Sequence, residues 1–184
     1  MKKTVLLISG FFTILLLSSS TARAQATHLV VTSVNGGVNP QAGAPFNVVV
    51  VAKNALEQPD TVITNTTVTL TLNTGTGTLG GTLTAIINSG DSTATVTGVT
   101  YTKAESGVIL TASATAGDPL LPGNSPSFTV DPGPAAQLTF GVQPSNTVAG
   151  ATMSPAVTVR IEDANGNLVT TDTRNVSLAI GTNP

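Results

Sequence analysis

The most constraining feature of this sequence is a skeleton of apolar and small residues that occurs twice. The segment from Ala26 to Thr76 and the segment from Ala135 to Pro184 carry similar residues in the same order. Offsets of 107 to 109 positions relate the equivalent residues. Leu29 corresponds to Leu138, Val31 to Phe140, Ala42-Gly43 to Ala149-Gly150, Val48/Val50 to Val157/Val159, and Val68/Leu70/Leu72 to Val176/Leu178/Ile180. A period of about a hundred residues is too long for a solenoid unit and is typical of autonomous domains.

The repeat predicts how the chain is divided. Residues 26–131 are expected to form one complete domain, residues 132–134 a Pro-Gly-Pro linker, and residues 135–184 the N-terminal half of a second domain. Two prolines restrict the linker, which favours neighbouring domains that are held extended. Half of a sheet-based domain exposes an apolar face and strand edges. We therefore expect these 184 residues to be the beginning of a longer protein.

The pattern after residue 24 predicts an all-β fold. Threonine and valine are abundant and favour strands, whereas 18 glycines and 11 prolines favour turns and disfavour helices. Short strands are expected at His28–Ser33, Phe46–Lys53, Thr66–Leu72, Leu83–Ile87, Ser92–Val99, Gly107–Thr115 and Ser127–Val130. The glycine-rich segment Gly75–Gly81 is interpreted as a turn. Strands at this spacing predict an immunoglobulin-like Greek-key β-sandwich, repeated in tandem.

The first 24 residues predict export. Lys2-Lys3 supply a positive start, Val5–Leu17 an apolar run, and Ala22-Arg23-Ala24 a small-x-small cleavage site. This pattern is typical of a bacterial Sec-type signal peptide at residues 1–24, cleaved between Ala24 and Gln25. An uncleaved membrane anchor is the alternative, although the apolar run is short for a bilayer span. The protein is predicted to be secreted or held at the cell surface.

The mature chain has a sparse, acidic charge distribution. Cleavage would leave four basic residues against nine acidic ones, a formal charge of −5. Such a surface repels nucleic acid and anionic lipid, so neither is expected as a partner. Nothing after residue 24 resembles a membrane span. The sequence has no cysteine, so the predicted domains depend on their cores for stability.

The sequence offers little catalytic chemistry. His28 is the single histidine, and a zinc site would need a second histidine or a cysteine beside it. No serine motif is present for which His28 would serve as the general base. We interpret it as a polar residue at the start of a strand. Glu162 and Asp163 are neighbours on a strand, so their side chains point to opposite faces and make a poor acid–base pair. No enzymatic activity and no cofactor are predicted.

One segment has two interpretations. In Asp163-Ala164-Asn165-Gly166-Asn167, the side-chain oxygens of Asp163, Asn165 and Asn167 alternate around a glycine, as at the start of a calcium loop. The alternative is a hairpin turn in which Asn165-Gly166 takes positive φ. The turn is favoured because few carboxylates lie nearby, Asp172 being one. Asp131 in the linker is a further candidate for a calcium site between domains.

Aromatic residues give weak support for sugar binding. Sugar sites rely on exposed rings, and the mature chain has four aromatic residues and no tryptophan. Phe46, Phe128 and Phe140 are expected in the core. Tyr101 closes a predicted strand, where its hydroxyl would reach the surface.

Three segments of the second copy resemble a known repeat. These are Gln143–Gly150, Pro155–Val159 and Asp163–Asn167, which are similar to the opening of the bacterial immunoglobulin-like repeats of invasin- and intimin-type adhesins. The first copy resembles a diverged member and departs from the pattern at Lys53–Glu57, where the second copy has its Asp-Ala-Asn-Gly-Asn turn. The resemblance implies a surface stalk or adhesin module.

Two functions are therefore considered. The first is a non-enzymatic exported repeat protein, a stalk or adhesin-type module that contacts neighbouring repeats and a surface or extracellular ligand of unknown identity. The second is an accessory domain of an exported enzyme or carbohydrate-binding protein whose functional module lies beyond residue 184.

Overall fold

The computed structural model describes residues 25–181 of the chain. The predicted signal peptide, residues 1–24, and most of its cleavage site therefore lie outside the described residues, which begin at Gln25. The described part contains one 3-10 helix, at Asn35–Gly37, and strands in the order β1 His28–Val34, β2 Phe46–Lys53, β3 Thr66–Thr74, β4 Leu79–Gly81, β5 Thr84–Ile87, β6 Thr93–Tyr101, β7 Glu105–Ala116, β8 Gly123–Asn124, β9 Phe128–Val130, β10 Ala135–Val142 and β11 Thr158–Asp163. The predicted all-β class is confirmed.

Strands β1 to β9 form two antiparallel sheets, which we call the first unit. One sheet has the order β1-β2-β6-β4, and the other has the order β5-β3-β7-β8, with β9 also paired to β7. Side chains from both sheets share one hydrophobic core. Its fully buried members include Leu29, Val31, Val48, Val50, Val68, Leu70, Val96, Val99, Tyr101, Val108 and Leu110.

Alternation along β2 shows how the sequence builds this core. Phe46, Val48, Val50 and Ala52 are buried, while the residues between them face outward and are less buried. Successive strand residues point to opposite faces of the sheet, so every second residue of β2 faces the core. The strand lies between β1 and β6, near the sheet centre, as its continuous apolar run predicts.

The segment Gly75–Gly81 is not a turn throughout, which corrects the prediction. Its last three residues form β4, and Gly81 pairs with Val99 of β6. A Cβ atom on Gly81 would lie 2.1 Å from the carbonyl oxygen of Gly98, so the backbones approach too closely for any larger residue. A short run of small residues hides this strand from pattern analysis.

Strands β10 and β11 form a separate antiparallel pair, which we call the second unit. Leu29 of β1 pairs with Ala52, and Leu138, 109 positions after Leu29, pairs with Ile161, 109 positions after Ala52. The ladders also break at equivalent places, between Val31 and Ser33 in β1 and between Phe140 and Val142 in β10. The two pairs thus have the same register and an equivalent irregularity.

The third apolar segment of the second copy differs from its equivalent in the first. Val68, Leu70 and Leu72 lie in β3, which is paired with both β5 and β7, whereas residues 176–180 form no strand. Within residues 25–181, the second unit has no equivalents of β5 and β7 to pair with it. Phe140 is 45% exposed, contrary to the core position expected, because no second sheet of the described chain packs over β10.

Candidate functional site

The segment proposed as a calcium loop or turn begins where β11 ends. The backbone amide of Asp163 donates to the carbonyl oxygen of Asn167 at 2.9 Å, and the amide of Gly166 donates to the carbonyl oxygen of Asp163 at 3.1 Å. Gly166 has φ +82°, a conformation that favours glycine. Asn165 does not have a positive φ, although the sequence predicts one for both Asn165 and Gly166. The segment is a closed turn.

The side chain of Asp163 organises this turn. One carboxylate oxygen accepts hydrogen bonds from the amides of Asn165 and Asn167, at 2.8 and 2.9 Å. The other accepts from the amide of Gly133 and from the side-chain nitrogen of Asn167, both at 2.8 Å. The side chain is buried. Burial alone would raise the pKa of Asp163, but the hydrogen bonds outweigh it and hold that pKa below its usual value.

Asn167 connects the turn to the first unit. Its side-chain oxygen accepts a hydrogen bond from the amide of Ala104, and its side-chain nitrogen donates to the carbonyl oxygen of Thr102, both at 2.9 Å. One primary amide therefore satisfies a donor and an acceptor of the loop between β6 and β7. This loop and Gly133 lie at the end of the first unit from which the chain continues.

Asn165 makes the third link, by close packing. Its side-chain nitrogen lies 2.6 Å from where a Cβ atom on Gly43 would stand, so a larger residue at Gly43 would displace it. Gly43 has φ +79° and donates its amide to the carbonyl oxygen of Tyr101. We call the whole contact the joint; it comprises Gly43, Thr102, Ala104 and Gly133 on one side and Asp163, Asn165 and Asn167 on the other.

The joint uses the atoms that were proposed as calcium ligands. The carboxylate of Asp163 and the amide oxygen of Asn167 accept hydrogen bonds from N–H donors. The linker candidate, Asp131, accepts from the side chain of Asn39 at 3.2 and 3.3 Å. In residues 25–181 there is no group of three or more acidic or histidine side chains that could hold a metal ion. Calcium binding stays an untested alternative to the turn that the sequence favoured.

The first unit contains the same turn with a different sequence. The amide of Asn54 donates to the carbonyl oxygen of Gln58, and the side-chain oxygen of Asn54 accepts from the amides of Leu56 and Gln58. Glu57 takes φ +60° at the position equivalent to Gly166. Sequence comparison identified this segment as a departure from the repeat. The backbone geometry is nevertheless shared, because Asn and Asp both offer an oxygen to the two amides that follow.

Outside the turn itself, the two segments have different partners. The side-chain nitrogen of Asn54 donates to Asp60 at 3.3 Å, whereas the second oxygen of Asp163 holds Gly133. Glu57 lies 3.2 Å from the ring nitrogen Nε2 of His28 and 3.6 Å from Nζ of Lys53. His28 thus takes part in a charged cluster beside the turn.

A buried tyrosine supports the loop that Asn167 contacts. Tyr101 is fully buried, and its hydroxyl donates to Glu105 at 2.5 Å and accepts from the amide of Gly77 at 2.8 Å. The expectation that this hydroxyl reaches the surface is wrong, because the Gly75–Gly77 loop covers it. A Cβ atom on Gly77 would lie 2.7 Å from the tyrosine ring, so the loop fits closely over it.

Charge and hydrogen bonding hold Glu105 in this arrangement. Its carboxylate also accepts from the amide of Thr76 at 2.7 Å and lies 3.4 Å from Nζ of Lys103. The hydrogen bond from Tyr101, followed by those from Thr76, holds the pKa of Glu105 well below its usual value. Burial and the bond to Glu105 raise the pKa of Tyr101. These contacts hold Tyr101 and Glu105 in place, one on each side of the loop of residues 102–104.

The other aromatic residues differ in exposure. Phe46 is buried and packs edge-on against Phe128, with ring centroids 6.4 Å apart. Phe140 is the exposed exception. Sequence reasoning missed the partners of the turn, which are Gly43, Thr102, Ala104 and Gly133. Three of them make contact through backbone groups, which leave no pattern in the sequence. The repeated Ala-Gly pair was a signal for Gly43 alone.

Comparisons with known proteins give limited information. Neither a protein-family model nor a curated protein matches the chain. Among solved structures, surface layer protein SbsC, domains 4-9, is similar at 24% identity, with a TM-score of 0.34. The alignment covers 88% of this chain, which spans 24% of that one. We assign neither fold nor function from this likeness. In residues 25–181 no helix is long and apolar enough to cross a membrane.

Proposed function

We propose that this chain belongs to an exported, non-enzymatic repeat protein in which tandem immunoglobulin-like Greek-key sandwiches form a stalk or adhesin-type spacer. The joint is the observation that carries the proposal. A passive linker would leave two units free to move, but here three side chains of one turn contact the loop, the linker and Gly43 of the preceding unit. A fixed relation between successive units is what a spacer requires.

The equivalence of the two units supports a repeated architecture. Their strand pairs share register and an equivalent ladder irregularity, and their turns share backbone hydrogen bonds. With so close a match, each further unit would present the same end to the unit before it. Units joined in this way would stack head to tail, each repeating the spacing of the last.

Export to the cell surface or the medium rests on the N-terminal sequence. The positive start, apolar run and Ala22-Arg23-Ala24 site precede the described residues. N-terminal sequencing of protein secreted by a bacterial host should find Gln25 first. Recovery of the chain with Met1 in the membrane fraction would contradict export by cleavage. The ligand of an adhesin function is left unassigned, and no membrane span is proposed for the mature chain.

A distance measurement tests the spacer function. The chain has no cysteine, so Thr95→Cys and Gln137→Cys would place one spin label on an outward-facing residue of each unit. We expect a single narrow distance distribution by pulsed electron paramagnetic resonance, unchanged when calcium is added or chelated. A broad distribution would contradict the spacer. A distribution that narrows on calcium addition would instead support the calcium hypothesis for Asp163, Asn165 and Asn167.

A further inference from the structure

Two Asn-Gly pairs lie in turns with different surroundings. Asn35-Gly36 follows β1 in the loop toward β2, and Asn165-Gly166 is an exposed pair in the turn that forms one side of the joint. Asparagine followed by glycine is chemically labile, because no side chain hinders the glycine nitrogen from reaching the asparagine side chain. We propose that Asn35 is a site of spontaneous deamidation and isoaspartate formation, and that the joint protects Asn165 from the same reaction.

The reaction needs water and no other reagent. The backbone nitrogen of Gly36 attacks Cγ of Asn35 and forms a C–N bond, while its proton passes to the departing side-chain nitrogen. The Cγ–Nδ2 bond breaks, ammonia leaves, and a five-membered succinimide remains. Water then adds to either carbonyl carbon of the ring. One product is aspartate, and the other is isoaspartate, in which the main chain runs through the side-chain carbon.

The surroundings of Asn35 allow this reaction. Gly36 is exposed, and nothing lies within 4 Å of the position that a Cβ atom on it would occupy; Gly166 is equally open, so the two sites differ in their hydrogen bonds and packing rather than in the space around the glycine. Asn35 has φ +48° and Gly36 φ +65°, so both residues of the pair have left-handed backbone conformations. The side-chain nitrogen of Asn35 donates to the carbonyl oxygen of Val38 at 3.1 Å, within the same exposed loop. Loops of this kind open locally at little cost.

The surroundings of Asn165 oppose it. The nitrogen that would attack, that of Gly166, donates to the carbonyl oxygen of Asp163 at 3.1 Å. The amide of Asn165 donates to the Asp163 carboxylate, and its side chain packs on Gly43 of the other unit. The asparagine must leave this contact before ring closure. Reaction therefore requires the joint to open.

Deamidation at Asn35 would change the first unit at the end that carries the joint. A carboxylate cannot donate a hydrogen bond, so the contact with Val38 would be lost. Isoaspartate would also lengthen the main chain in the loop between β1 and β2. That loop continues to Gly43, on which Asn165 packs.

Peptide mapping of the aged full chain tests the proposal. Trypsin cuts after Lys53, Arg160 and Arg174, so the two Asn-Gly pairs fall on separate peptides. After incubation at mildly alkaline pH, isoaspartate is measured by mass spectrometry and by isoaspartate methyltransferase labelling. We expect the Asn35 peptide to be modified roughly tenfold faster than the Asn165 peptide in folded protein, and both at similar rates in urea, because protection requires the folded joint.

Two variants make the test specific. Asn35→Gln should abolish modification of the first peptide, because glutamine would have to form a larger ring. Asn167→Ala should raise the Asn165 rate several-fold and leave the Asn35 rate unchanged. Equal rates for the two peptides in folded protein would overturn the proposal. So would an unmodified Asn35 over a time in which the urea-treated chain reacts, or an Asn165 rate that Asn167→Ala leaves unchanged.

Discussion

The carboxylate of Asp163 accepts a hydrogen bond from the backbone amide of Gly133 at 2.8 Å, so the turn after β11 holds the linker that precedes β10. Four N–H groups converge on this one carboxylate. An ionised aspartate can accept at both oxygens, whereas an asparagine has one oxygen and one NH2 group. Asn54 therefore suffices for the turn of the first unit, and Asp163 is needed where a linker must also be held.

The first prediction concerns Asp163→Asn. The turn should survive, because the Asn54 turn shows that asparagine satisfies the two following amides. The contact with Gly133 should fail, since an NH2 group would face an N–H donor. The distance distribution between labels at Thr95→Cys and Gln137→Cys should broaden. The matched control is Asn54→Asp, which should leave the distribution unchanged. Equal distributions for Asp163→Asn and wild type would show that Gly133 is held by other contacts.

The second prediction concerns Asn167→Ala. It removes both hydrogen bonds to the loop of residues 102–104, so the amide of Ala104 loses its acceptor. We expect faster hydrogen exchange at Ala104 and broader inter-unit distances, with the melting temperature of the first unit nearly unchanged. Gln58→Ala is the control, because Gln58 holds the equivalent position in the first unit. If Ala104 exchanged at the wild-type rate in the variant, its amide would not depend on Asn167.

The linker prolines contribute less than the sequence suggests. Replacement of Pro132 and Pro134 by glycine removes their backbone restriction but leaves the amide of Gly133 free to bond Asp163. We expect a small broadening of the inter-unit distances, less than Asp163→Asn produces. A larger effect from the proline variants than from Asp163→Asn would return the main role to the linker, as the sequence alone predicts.

The sequence predicts the first unit well because burial alternates along its strands. Val68, Leu70 and the alternate residues of β2 all face inward, as period-two patterns require. The pattern could not reveal β4, because its two glycines carry no apolar signal. It also could not reveal that the hydroxyl of Tyr101 is buried, where it is hydrogen-bonded to Glu105 and to the amide of Gly77. Such features depend on contacts between segments that are distant along the chain.

The sequence located the candidate segment and favoured a turn there over a calcium loop, but it did not identify the groups that the turn contacts. The alternation of Asp163, Asn165 and Asn167 fits calcium ligation and inter-unit hydrogen bonding equally well, because both use the same oxygens. Which of the two occurs depends on the groups that lie opposite these side chains. The backbone groups of Thr102 and Ala104 lie opposite Asn167, and the sequence carries no pattern that would reveal them. The equivalence of the two turns was also hidden, because Glu57 takes a positive φ at a position where the second copy has glycine.

A further prediction concerns Tyr101→Phe. The ring still fills the core, while the hydroxyl contacts with Glu105 and the amide of Gly77 are lost. Loss of a buried hydrogen bond costs about 1–2 kcal/mol in the free energy of unfolding. In a domain of this size each kcal/mol lowers the melting temperature by about 4–8 °C. Calorimetry measures the change. An unaltered melting temperature would show that the hydroxyl contributes nothing to the first unit.

The last prediction concerns acid. Hydrogen bonds, first from Thr64 and then from Ile63, hold the pKa of Asp118 below its usual value, and Glu105 behaves likewise through Tyr101. A carboxyl group whose pKa is lower in the folded than in the unfolded state stabilises the fold above its unfolded pKa, about 4. That contribution is lost as the pH falls through this value toward the folded pKa. The melting temperature of the first unit should therefore be nearly constant from about pH 7 to pH 5 and decline steadily below about pH 4.

Asp118→Asn should melt lower at neutral pH and decline less in acid, because it has no proton to take up. Asp91→Asn, at an exposed residue between β5 and β6, is the control for loss of one charge and should melt as the wild type does at neutral pH. A parallel decline in Asp118→Asn and wild type would place the acid sensitivity in other groups.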